Sequence, residues 1–62
     1  MKTISIENWE QHGDYMLYAS MVDETKKWIM LEATSNLIRV TGKEDAIADF
    51  CKLLEKKNIK WK

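Results

Sequence analysis

The sequence predicts an α+β domain: a small antiparallel sheet of about four strands, with one C-terminal helix packed on one face. Three observations carry this expectation. Four short apolar runs bounded by turn-type residues occupy the chain as far as Thr41. One longer run, Lys43 to Lys57, repeats its apolar residues at helical spacing. The length, 62 residues, allows one domain, residues 1–62, and a domain of this size buries only about 60% of the surface its unfolded chain exposes. Its core is therefore thin, with little room for an enclosed active site.

The elements follow in order. "TISIE", residues 3 to 7, alternates apolar and polar and places Ile4 and Ile6 on one side. "YMLYASMV" (15 to 22), "KWIMLEA" (27 to 33) and "LIRVT" (37 to 41) are rich in β-branched, aromatic and methionine residues and read as strands. Between the last two, "TSNL" predicts a tight hairpin centred on Ser35 and Asn36. It would pair Thr34 with Leu37, Ala33 with Ile38, Glu32 with Arg39 and Leu31 with Val40, setting opposite charges across from one another. That register sends Ile29, Leu31, Ala33, Ile38 and Val40 toward the helix. Trp28, Met30, Glu32, Arg39 and Thr41 go to the other face.

The hairpin before it has no turn signature, because "VDETKKW" lacks both glycine and asparagine. A four-residue loop, Asp23 to Lys26, would set Leu17, Ala19 and Met21 beside Trp28 and Met30. An odd-length loop would set Met16, Tyr18 and Val22 there, since a one-residue slip exchanges the faces of a strand. The missing glycine disfavours the odd loop with its bulge.

In the predicted helix, Ile47, Phe50, Cys51 and Leu54 fall at i, i+3, i+4 and i+7, with Ala46 and Leu53 widening the stripe. Thr41 and Glu44 fit a capping box, and Asp45 suits the positive end of the helix dipole. Lys56 and Lys57 suit the other end, and Asn58 can adopt a left-handed cap. Beyond it "NIKWK" alternates, so it is expected to fold back along a sheet edge or to tuck Trp61 under the helix, leaving its lysines in water.

Several function classes lose support at this level. Cys51 is the only cysteine and lies mid-helix on the apolar stripe, which rules out an intramolecular disulfide and suits a plain core residue. His12 is the only histidine. "ENWEQHGD" offers Glu7, Glu10, His12 and Asp14 without the paired histidines or cysteines that make a metal site specific. Two glycines are too few for a phosphate-cradling loop. Neither enzyme activity nor a cofactor nor a metal is expected. No apolar run approaches the roughly 18 residues of a membrane span, and "MKTISIENWE" turns polar too soon for a signal peptide. A reducing cytoplasm is the expected compartment.

Ten basic and ten acidic residues cancel, yet they are sorted. Met1 to Cys51 carries five Lys/Arg against nine Asp/Glu, whereas Lys52 to Lys62 carries five lysines against Glu55. If one helix covers one sheet face, the other face must be explained, and it bears Trp28 and Met30. Methionine and tryptophan are favoured at protein contacts. The expected function is therefore protein binding through Trp28, Met30, Glu32 and Arg39, with Met21 and Leu17 beside them and Glu10 and Asp14 on an acidic side. The partner would be a larger protein, and the chain is of the general type of small phage or mobile-element proteins that occupy and inhibit a host protein. A homodimer would use the same face on itself, and Trp9 could instead fold across it. The alternative is a nucleic-acid accessory using Lys52, Lys56, Lys57, Lys60 and Trp61, with lysines on phosphate and Trp61 stacked on a base.

Overall fold

In the computed structural model, which describes residues 1–62, the chain runs β1 (Lys2–Glu7), a single 3₁₀ turn (Trp9–Gln11), α1 (Tyr15–Thr25), β2 (Ile29–Ala33), β3 (Leu37–Gly42) and α2 (Glu44–Lys56). The α+β class is as expected. The detail differs: the sheet has three strands in the order β1-β3-β2, both pairings antiparallel, and there are two helices.

The difference lies in "YMLYASMV", which is a helix. Its apolar residues come as adjacent pairs, Leu17–Tyr18 and Met21–Val22, four residues apart. That spacing makes one helical stripe, whereas strand alternation would put the members of each pair on opposite faces. The Asp14 carboxylate accepts the Leu17 backbone N–H at 3.3 Å and caps the first turn. At the other end the Thr25 hydroxyl donates to the Val22 carbonyl at 2.7 Å and Lys26 turns left-handed at φ 56°, which stops the helix. A helix, unlike a hairpin, needs no glycine turn before β2.

The β2–β3 hairpin has the expected register, Leu31 opposite Val40, Glu32 opposite Arg39 and Ala33 opposite Ile38. β3 continues into β1, with Ile4 opposite Val40 and Ile6 opposite Ile38. Those side chains and Ile29 form one sheet face, and both helices cover it: Tyr18 and Met21 from α1, and Ala46, Ile47, Phe50 and Leu54 from α2, join them in one buried cluster. The other sheet face is left open.

Two helix ends bear on the expected caps. Thr41 belongs to β3, and its hydroxyl lies 3.1 Å from that of Thr3; α2 is preceded by Lys43, whose side chain makes no capping bond. The capping box is therefore absent, because β3 extends to Gly42 and holds Thr41 in the sheet. Glu44 and Asp45 still occupy the first turn and favour its dipole. At the far end Asn58 is left-handed at φ 59°, its N–H bonds the Glu55 carbonyl at 3.1 Å and the Ile59 N–H bonds that of Leu54 at 2.9 Å. This is a Schellman motif, completed by the buried pair Leu54 and Ile59.

The final residues meet a sheet edge and half-bury Trp61. Ser5 and Lys62 exchange N–H···O bonds of 2.9 and 2.8 Å, which lays the segment along the outer edge of β1. Trp61, one residue earlier, turns to the opposite side and packs half-buried against the core. No helix is long and apolar enough to cross a membrane.

Candidate protein-binding surface

Strand register determines what the open face carries. Thr3, Thr41 and Met30 lie side by side across the three strands, and Ser5, Arg39 and Glu32 form the next row. Polar pairs knit much of it: Arg39 Nη1 is 3.8 Å from Glu32 Oε1, and Lys62 Nζ is 2.9 Å from Glu7 Oε1. All four of these groups are largely solvated, so each pair contributes little to stability. The apolar residue of this face is Met30, 48% exposed; Trp28, 61% exposed, lies just before the start of β2.

The sequence expectation placed Leu17 and Met21 beside them, and the structure corrects this. Met21 is buried in the core and Leu17 packs half-buried against it, both from α1 on the covered side of the sheet. The open face is accordingly more polar than a four-stranded sheet would have made it. Trp9 does not cross it either. Its indole N–H donates to the Thr34 carbonyl at 2.8 Å, its carbonyl accepts the Tyr18 hydroxyl at 2.8 Å, and the two rings meet edge to face with centroids 5.9 Å apart. The two contacts with Tyr18 hold Trp9 against the core.

Trp28 immediately precedes β2, beside the Lys2–Gly42 end of the sheet. With Met1, Lys27, Lys43, Asp45 and Ala46 it lines a cleft of about 290 Å³. Lys27 is anchored there, its ammonium 2.6 Å from Asp49 Oδ2 and 3.3 Å from Asp45 Oδ2. The bond to Asp49, seconded by Asp45, raises the Lys27 pKa, and the same ammonium lowers that of Asp45. The bridge links the segment before β2, which carries Trp28, to the first turns of α2.

The acidic side lies elsewhere. Glu10 and Asp14 follow the Glu7 end of β1, opposite the end beside Trp28. Asp14 caps α1, Glu7 pairs with Lys62, and Glu10 is exposed in the 3₁₀ turn. Next to them, on the first turn of α1, Met16 is 67% exposed and Tyr15 partly so, a second apolar spot that reading the segment as a strand missed. Helical phase applied from Asp14 onward would have found it.

The lysines divide between two surfaces. α2 ends at Lys56 and the chain reverses at Asn58, so Lys52, Lys56 and Lys60 do not continue one stripe. Lys52 and Lys56 line a groove with Glu24 and Asp49, whose charges oppose theirs. Lys57 is exposed at the end of α2. Lys60 and Trp61 line a different cleft, of about 430 Å³, with Glu7, Gln11 and His12. Trp61 is half-buried there, which reduces the ring face left for stacking.

Elsewhere, burial raises the Cys51 thiol pKa, as suits a packed rather than a reactive cysteine. No group of three or more His, Cys, Asp or Glu side chains is placed to hold a metal ion. No protein-family model, curated protein or solved structure matches the chain.

Proposed function

We propose that the chain is a non-catalytic protein-binding module, and that its contact surface is the β2 side of the open sheet face, centred on Trp28 and Met30 and flanked by Glu32 and Arg39. One observation carries this reading. A fold with little core to spare buries Tyr18, Phe50 and all six of its isoleucines, yet leaves a tryptophan 61% exposed beside the Lys27 ion pairs. An exposed aromatic side chain close to an adaptable methionine is the composition of a binding hot spot. Glu32 and Arg39 supply a polar rim. In its sharper form the reading is an inhibitor of the phage or mobile-element type, acting in the cytoplasm by covering a larger host protein. Glu10 would then make a separate, peripheral contact, because it lies at the other end of β1.

The test is capture by the immobilised chain from a lysate of the source cells, followed by titration of the purified partner. Trp28→Ala should weaken the complex by roughly 30-fold or more, as hot-spot loss does, and shift folding stability by no more than about 0.5 kcal/mol. Substituting Lys52 and Lys56 by alanine should leave the affinity nearly unchanged. A partner that binds Trp28→Ala as tightly as the parent chain would refute the proposal. Binding to nucleic acid that weakens steeply with salt and is lost with the lysines would replace it with the alternative.

A further inference from the structure

The two edges of the sheet are not equivalent. The closing pair Thr34–Leu37, with the Thr34 N–H on the Leu37 carbonyl at 2.8 Å, sets the alternation along β2. Met30 and Glu32 turn their N–H and C=O groups toward β3; Ile29, Leu31 and Ala33 turn theirs outward. No backbone bond outside the β2–β3 ladder reaches those three residues. On β1 the corresponding outward groups of Ser5 are taken by Lys62. One edge is blunted by the chain's own final residues, and the other is bare.

A bare edge is a template for another strand, and proteins usually guard it with proline, a bulge or several charges. β2 has no proline, and Glu32 is its only charged residue. From this we infer that β2 is a self-association edge and that its occupant is the β2 strand of a second copy, running antiparallel about a two-fold axis through Leu31. This goes beyond the partner reading above and does not rest on it.

The strand is its own complement in that register. Leu31 faces Leu31 of the second copy, and Ile29 faces Ala33 in each direction, so every outward N–H and C=O of the three residues is paired. Six backbone hydrogen bonds result. The half-buried Leu31 side chains meet on the covered face, beside the small Ala33 that leaves room for Ile29. On the open face Met30 stands directly opposite Glu32. The axis is perpendicular to the sheet, so the product is a continuous six-stranded sheet with both Met30 side chains on one face. Further growth through the other edge is opposed by the Lys62 segment. One short strand makes a small interface, and the association belongs to the weak class.

Sedimentation equilibrium on the full chain from about 10 µM to about 1 mM should show monomer and dimer in exchange and no larger species. The register gives a charge test at a half-exposed position that the core does not need. Met30→Glu places like charges directly opposite one another at two symmetric sites and should raise the dimer dissociation constant by roughly 2- to 30-fold. Met30→Lys places opposite charges there and should lower it. The thermal midpoint at low concentration should be little changed in both variants, which separates association from folding. A chain still monomeric at the highest concentration, a dimer indifferent to both substitutions, or open-ended growth would each overturn the inference.

Discussion

Tyr18→Phe isolates one bond that positions the 3₁₀ turn on the core. The Tyr18 side chain is fully buried, its hydroxyl donates to the Trp9 carbonyl at 2.8 Å, and its ring meets that of Trp9 edge to face. Phenylalanine keeps the ring and its burial, so the substitution removes the hydroxyl alone. A lost internal hydrogen bond typically costs about 0.5–1.5 kcal/mol, and more when the abandoned acceptor cannot reach water. The bond is only part-buried, and the expected cost is about 1 kcal/mol. For a domain of this size that lowers the thermal midpoint by roughly 4–8 °C. In urea it lowers the unfolding midpoint by up to about 1 M with the slope unchanged. Circular dichroism melts and urea titrations measure both. A Tyr18→Phe midpoint equal to the parent's would show that the bond does not hold the turn, and the placement of Trp9 would have to be revised.

Two further outcomes follow from the same geometry. Asn58→Ala should destabilise by about 1 kcal/mol, because alanine resists the left-handed conformation at φ 59°, whereas Asn58→Gly should be neutral or stabilising; paired melts decide it. The titrating groups give the pH profile. Lys27 and Tyr18 have raised pKa values, so their stabilisation is complete below the unfolded values near 10 and is lost as pH climbs through the folded ones. Asp45 has a lowered pKa, so its contribution is complete above the ordinary carboxylate value, 3.8, and is lost as pH falls through the depressed one. Lys27→Met should flatten both limbs of a plot of melting temperature against pH and Tyr18→Phe only the alkaline limb. High salt should mimic Lys27→Met, since its ion pairs are solvated.

Much of this fold is legible in the residues. The β2–β3 register can be read from "TSNL" and the Glu32–Arg39 pairing, because a two-residue hairpin leaves no freedom in register. α2 and its left-handed Asn58 are equally plain. The segment 15–22 is misleading because its composition, two tyrosines, two methionines and a valine, suits a strand, while its phase is that of a helix. The missing turn signature in "VDETKKW" and the capping Asp14 were the local signs of that phase. A strand there would have put Leu17 and Met21 on the open face, whereas the helix turns both toward the core. Met30, Glu32 and Arg39 lie on the open face as the hairpin register requires, whereas Trp28 precedes β2 and lines the cleft at the start of α2. The bare edge of β2 depends on strand order, which no local pattern in β1 or β3 encodes.

Amide hydrogen exchange along β2, resolved by NMR over a dilution series, bears most directly on the β2 side of the sheet as the working surface. In dilute solution Met30 and Glu32 should be protected by β3, while Ile29, Leu31 and Ala33 should exchange rapidly, in strict alternation. Raising the concentration should protect those three and leave the others as they were. Protection of Ile29, Leu31 and Ala33 at the lowest concentration would mean that the chain covers this edge itself, and would contradict the account.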